Sequence, residues 1–174
     1  MVDRSETRDF LGRTDELADF DRAVTSARNG VPVVLLVSGD AGIGKSTLVS
    51  EAAARSDVVL HLGRCVHMGG DVIPLAPLAD LLRQVCRSAP DLLSESAGLE
   101  PLARWATPGS DTSGSDAGSG GLFVPVLDLI AHLAVDSTVA IGFEDLHWAD
   151  TVTWDLFEFL ARNLVDEHVV LIGT

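Results

Sequence analysis

The chain has 174 residues, enough for one domain whose core buries close to ~70% of the unfolded surface. Its 47% hydrophobic content excludes a wholly disordered chain, no apolar run nears the ~18–20 residues of a membrane span, and the polar start MVDRSETRDF lacks the apolar stretch of a secretory signal. With 12 Lys+Arg against 26 Asp+Glu, the net charge of −14 argues against direct nucleic-acid binding, and Cys65 and Cys86, without CxxC spacing, read as reduced thiols of a cytoplasmic protein.

The first predicted element is a helix over 14–28, capped by Thr14, with Asp15 and Glu16 in its positive first turn. Leu17, Phe20, Val24 and Ala27 share one face, and Asn29-Gly30 ends it. Val33 to Val37 is a continuous apolar run, expected as a strand buried on both faces. A glycine-rich turn over 39–44 leads into a helix over 45–55, then a second strand over 58–65. Residues 76–87 have helical spacing through Leu78, Leu81, Leu82 and Val85, and 88–107 read as short helices. The stretch 108–121, PGSDTSGSDAGSGG, has almost nothing to bury and is expected to be a flexible surface loop. A helix over 122–134 follows, with Pro125 tolerated in its first turn, and then a strand over 139–143. Asp150 caps a helix over 151–164, with Trp154, Phe157, Leu160, Ala161 and Leu164 in register, before a last strand over 169–172. Strands alternating with helices predict a three-layer α/β fold on a parallel sheet. The domain spans 14–174, with 1–13 as an N-terminal segment and 108–121 as an interruption.

Gly39-Asp40-Ala41-Gly42-Ile43-Gly44-Lys45-Ser46 fits G-x-x-x-x-G-K-[ST], the phosphate-binding loop. Glycines there let successive backbone N–H groups turn around phosphate oxygens, and the following helix aims its positive end at them. Lys45 would reach the β- and γ-phosphates, and the Ser46 hydroxyl would bind Mg²⁺. Lys45 is the chain's one lysine against eleven arginines, so it marks a place where arginine would not serve. Glu144-Asp145 ends the strand over 139–143, where one carboxylate can hold the Mg²⁺ shell while the other orients an attacking water. His61, Cys65 and His67 have loose metal spacing but too few ligands for a zinc site, and read as structural. Trp148 reads as packed and Arg64 as a lone surface arginine.

Phe10-Leu11-Gly12-Arg13 with Glu16-Leu17, then GDAGIGKST through Thr47, then Glu144-Asp145-Leu146-His147-Trp148-Ala149-Asp150, then Leu171-Ile172-Gly173-Thr174, resemble the AAA-type ATPase domain of the STAND class. Domains of this class occur in large LuxR-type transcriptional regulators and in some bacterial adenylate cyclases and kinases. The resemblance implies a P-loop NTPase fold holding Mg-ATP, with Gly12 and Arg13 near the adenine. It implies Glu144 on the Mg²⁺ side and Asp145 on the water side, which makes Lys45 and Asp145 the catalytic pair. The implied role is a switch driven by ATP binding and slow hydrolysis, with further domains of a longer regulator, or other subunits, as partners.

The chain departs from that pattern in three ways. The acidic pair reads Glu-Asp where Asp in the first position is the commoner form; a displacement of about an ångström costs on the order of 10²-fold in rate. The pattern normally continues past Thr174 into an arginine, and into a fifth strand and a helical lid. With a strand order of 5-1-4-3-2, the first strand would then be an exposed apolar edge, so truncation before the fifth strand is expected. A nucleotide- or partner-binding module without hydrolysis and a small phosphate-loop kinase are the alternatives; the kinase would need clustered arginines after residue 64, where only Arg83, Arg87, Arg104 and Arg162 remain.

Overall fold

Two-residue alternation divides the central sheet into two faces, each covered by its own set of helices. The computed structural model describes residues 13–68, 71–106 and 119–174. Four strands, β1 (Val33–Leu36), β2 (Val59–Arg64), β5 (Val139–Glu144) and β6 (Val169–Gly173), form one all-parallel sheet in the order β1-β6-β5-β2. On β5 and β6, Ala140, Val170 and Ile172 pack with Phe20, Val24, Val49 and Ala52 of α1 (Thr14–Arg28) and α2 (Lys45–Arg55). Their neighbours Val139, Ile141, Phe143, Val169 and Leu171 join the second cluster. That cluster is built by α3 (Ala76–Ser88), α4 (Leu92–Glu95), α5 (Glu100–Ala106), α6 (Phe123–Leu133) and α7 (Thr151–Asn163). Each fully buried Leu, Ile or Phe of these clusters contributes roughly 1.5–3 kcal/mol, so the two central strands are the most strongly fixed part of the chain. The result is the three-layer α/β architecture expected.

Several local expectations change. Arg13, not Thr14, takes the cap position of α1; its carbonyl accepts from Leu17 N–H at 3.1 Å, and no side chain caps that end. β1 is half open rather than buried on both faces as its composition suggested; it is the exposed sheet edge that the strand order of the resemblance implied, with Val34 40% and Leu36 70% exposed. The other edge, β2, is covered. Gln84 of α3 bonds the Leu62 backbone on both its N–H and C=O, and Asp80 accepts from Arg64 N–H at 3.1 Å. Side chains from α3 thus supply the partners that a further strand would otherwise provide. A short antiparallel hairpin, β3 (His67–Met68) with β4 (Asp71–Val72), follows β2; two-residue strands carry no periodicity and were not foreseen. Most of the expected loop over 108–121 lies outside the described residues, but Ser119–Leu122 is a 3₁₀ turn leading into α6. In α7 the buried stripe is Thr153, Leu156, Phe157 and Leu160, which leaves Trp154 45% exposed rather than in the core. Among the described residues, no helix is long and apolar enough to cross a membrane.

The parallel registers bring Leu36, Gly173 and Phe143 side by side. The segments that leave β1, β6 and β5 at their C-terminal ends therefore start level with one another. On β2, Gly63 lies against the start of α3: a Cβ there would stand 2.1 Å from the Pro77 carbonyl oxygen and 2.6 Å from its carbon and Cα. These are backbone atoms that cannot swing aside. Gly63→Ala is expected to destabilise the protein by about 3 kcal/mol or more, read as a fall in the urea midpoint. An unchanged midpoint would show that α3 lifts off β2 freely.

Candidate nucleotide-binding site

A cleft of about 880 Å³ opens over the level strand ends, within the usual range for small-molecule sites. One wall is the loop from Ser38 to Thr47, apart from Ile43. The other is the turn from Asp145 to Trp148 with Trp154, and Leu36, Val37, Gly173 and Thr174 form the floor.

The loop's path depends on left-handed backbone. Gly42 and Gly44 have φ of +78° and +89°, and a Cβ on either would meet nothing within 4 Å. Backbone conformation alone therefore demands glycine at these two positions. Gly44 is also the residue at which the chain turns into α2, whose first N–H groups face the loop with the positive end of the helix. Lys45 Nζ reaches back across the loop and donates to the Gly39 and Asp40 carbonyls, at 3.0 and 3.2 Å. Ser46 and Thr47 follow it on the first turn of α2 and line the same cleft.

Opposite them, Asp145 sits in left-handed backbone at φ 57°, which directs the chain out of β5 into the 3₁₀ turn Leu146–Trp148. Its N–H donates to Thr174 Oγ1 at 3.2 Å, and Leu146 N–H donates to the Thr174 carbonyl at 2.8 Å. Thr174 thereby couples the acidic turn to the end of β6. Trp148 is 46% exposed, stacked on His67 with ring centroids 4.7 Å apart and 5.0 Å from the ring of His147. It lines the cleft rather than packing beneath it.

Glu144 behaves differently from its neighbour. Its side chain is only 6% exposed, Oε2 bonds Arg64 Nη2 at 3.0 Å, and it is not among the cleft-lining residues. Arg64 Nε also lies 3.9 Å from Asp145 Oδ2. The hydrogen bond and charge of Glu144, then the charges of Asp145 and Asp80, raise Arg64 above the ordinary arginine value despite partial desolvation. Arg64 is thus a counter-ion for the acidic pair, not the lone surface arginine expected. An arginine 80 residues from its partner offers no spacing signal; only the β2–β5 register Arg64↔Glu144 pairs them.

The structure gathers Gly39, Asp40, Ala41, Gly42, Gly44, Lys45, Ser46, Thr47 and Asp145 around one cleft, and leaves Ile43, Arg13 and Glu144 off its walls. Arg13 instead donates to the Ile43 carbonyl, bracing the loop from outside. Gly12 lies outside the described residues. Thr174, Trp148 and Trp154 were given no site role from sequence, since nothing in their spacing sets them apart. Of the loosely spaced trio, His61 is buried and its pKa is lowered by that burial, while Cys65 is buried too. Burial, with the charges of Asp150 and Asp145, pushes the Cys65 thiol up to about 12, which makes it an inert core group. His67 faces outward onto Trp148. Among the described residues, no group of three or more His, Cys, Asp or Glu could hold a metal.

A glycine loop leaving β1 for a helix, a lysine at its end and a carboxylate at the end of β5, one strand beyond β6, are arranged on a sheet consistent with the P-loop NTPase fold. The family model for the AAA ATPase domain matches residues 9–172. The chain belongs to the AAA ATPase domain family. Nucleotide binding is the property this membership carries. A comparison with curated proteins returns no match.

Two outcomes follow for this AAA domain. Arg64→Ala strands a carboxylate whose Oε1 already lacks a hydrogen-bond partner. It should cost about 1–3 kcal/mol in urea unfolding, and adding Glu144→Gln should recover most of that. No recovery would mean that Arg64 contributes through packing alone. Asp150, the cap of α7, gives the second. Burial pushes its carboxyl up, but bonds from the Thr153 side chain and backbone, from Leu75 and from Val152 outweigh it and hold it below the ordinary 3.8. A depressed carboxyl stabilises the fold above its unfolded value and loses that contribution as pH falls through the folded one. The stability gap between wild type and Asp150→Ala should be full above about pH 5 and shrink on acidification below it. A gap independent of pH would exclude an ionised Asp150 as its source.

Proposed function

We propose that the chain is a Mg-ATP-binding switch domain with slow hydrolysis, of the STAND class, within a LuxR-type transcriptional regulator of the cytoplasm. The observation that carries the nucleotide reading is the placement of Lys45 and Asp145 on opposite walls of one cleft, above three level strand ends. Lys45, with the loop N–H groups, would take up the phosphate charge. The D-L-H-W-A-D run over 145–150 supports the STAND and LuxR assignment, and the net charge of −14 supports leaving DNA contact to another domain. The open β1 edge, with Val34 and Leu36, is where further domains or subunits would find an apolar surface.

The donor set fits Mg²⁺. Ser46 and Asp145 present hydroxyl and carboxylate oxygens to the same cleft, which is the hard-oxygen chemistry that ion prefers, with phosphate and water completing its shell. When bound, Mg²⁺ would neutralise charge on the phosphate oxygens. We assign the cation-side carboxylate to Asp145 in place of Glu144, because Asp145 lines the cleft and Glu144 is committed to Arg64. Glu144 then serves to hold Arg64 beside Asp145. The same pairing favours the second reading, a binding module without turnover, since it takes Glu144 out of the cleft and leaves Asp145 as the one carboxylate that lines the cleft opposite the glycine loop among the described residues.

Calorimetry with Mg-ATP, together with phosphate release, tests these roles. Lys45→Ala should weaken binding about a hundredfold or more, the loss of two charge-assisted bonds. Asp145→Asn should weaken Mg-dependent binding, while Glu144→Gln should bind nearly as wild type. Turnover should fall well below the roughly 10 s⁻¹ median of enzymes. Unchanged affinity in Lys45→Ala would remove the nucleotide assignment. The opposite ranking of the two carboxylate variants would return the cation to Glu144.

A further inference from the structure

The acidic wall of the cleft, residues 145–149, is held at two ends. Thr174 holds its start, through Asp145 N–H and Leu146 N–H. Asp150 stands at its other end and uses its two oxygens differently. Oδ1 accepts from Val152 N–H at 2.9 Å and Thr153 N–H at 3.1 Å, an ordinary helix cap. Oδ2 accepts from the Thr153 hydroxyl and, at 3.2 Å, from Leu75 N–H, which is 75 residues away in sequence. Thr153 Oγ1 also lies 3.2 Å from Leu75 N. Two oxygens therefore converge on one backbone N–H.

Capping α7 requires neither of these bonds. Leu75 is 5% exposed, directly precedes α3 and has φ 54°, a conformation unusual for leucine. Thr153 is fully buried, so no water competes for its hydroxyl. The same two chain segments meet again nearer the cleft, where His67 stacks on Trp148. His67 and Leu75 thus each join the wall 145–150 or the helix it leads into.

We propose that Asp150 and Thr153 form a pin on Leu75 N–H that fixes the cleft wall to the start of α3, which makes Asp150 a positioning residue for Asp145. Its effect on nucleotide binding rests on the reading above; the pin itself does not. Asp150→Asn keeps an oxygen for the helix cap but turns a donor amide toward Leu75. Thr153→Val keeps the buried volume and drops the hydroxyl. Either single change leaves Leu75 N–H one acceptor, and the double change leaves it none.

The test uses the full chain, with amide hydrogen exchange measured without nucleotide and Mg-ATP affinity measured by calorimetry. In the double variant, exchange at Leu75 and over 145–149 should accelerate about tenfold or more while α1 stays as in wild type, and Mg-ATP affinity should fall about tenfold. Each single variant should stay within about threefold in both readouts. Unchanged exchange over 145–149 overturns the pin, and so does acceleration spread evenly over the chain, which marks general loss of stability. Local acceleration with wild-type affinity overturns the positioning role. If wild type itself fails to bind Mg-ATP, the nucleotide reading fails, and the exchange pattern still decides the pin. Should the double variant not fold, Asp150→Ser combined with Thr153→Val is read the same way, since serine keeps the helix cap and its one hydroxyl oxygen cannot serve both α7 and Leu75.

Discussion

Strand β6 bonds β1 on one side and β5 on the other, in a register that sets Leu36, Gly173 and Phe143 level. The glycine loop, Thr174 and the acidic turn leave the sheet from these three adjacent ends, so their spacing is set by backbone hydrogen bonds of the two innermost strands. Every residue of β5 and β6 is buried, which leaves that register little freedom to slip. Gly173 belongs to the same constraint. A Cβ there would come within 2.6 Å of Leu146 and 3.0 Å of Leu36, forcing apart the floor and one wall of the cleft.

On the nucleotide reading proposed above, a protein with a net charge of −14 would have to draw a polyphosphate into a cleft lined by Asp40 and Asp145. Local fields decide this rather than the total, because charges further apart than about 8 Å are screened at physiological salt. On the loop side the favourable terms are Lys45 and the N-terminus of α2. On the acidic side, Glu144 and Asp145 are adjacent, and their combined charge would oppose an incoming anion. Arg64 offsets it from β2, bonded to Glu144 and near Asp145. The acidic wall and its counter-ion are therefore one electrostatic unit built across the β2–β5 pair.

The helices and the four principal strands were legible because each carries enough turns or alternations to declare a period. α2 over Lys45–Arg55 and the Asp150 cap of α7 appear where spacing and capping chemistry put them. The phosphate loop was legible for a different reason, since its glycines answer a backbone demand that few other residues meet. What failed was tertiary. Val33 to Val37 looked buried on both faces because composition does not reveal which strand lies at an edge; the strand order implied by the resemblance did place it there. Trp154 fits the apolar spacing of α7, but it lines the cleft instead of joining the buried stripe of Thr153, Leu156, Phe157 and Leu160. The Arg64–Glu144 pair and the Asp150–Leu75 bond join residues 80 and 75 apart, and each depends on two strands or helices first finding their places.

Backbone strain marks the same region. Among the described residues, three non-glycine residues have positive φ: Asp57, Leu75 and Asp145. Asp57 closes the short turn from α2 to β2, where aspartate tolerates left-handed backbone readily. Asp145 shares part of that tolerance but sits at the mouth of the cleft, and for Leu75 the conformation costs of order 1–3 kcal/mol. Each is held by bonds from a distant element. Asp145 donates to Thr174 at the end of β6, and Leu75 donates to Asp150 and Thr153 at the start of α7. One strained residue opens the acidic wall, and the other lies under its far end. Strain at both anchors, each answered by long-range hydrogen bonds, means that the wall's position is imposed by its neighbours rather than by its own local preferences. A carboxylate placed this way moves only when β6 or the segment before α3 moves, which gives the cleft a physical connection to the rest of the fold.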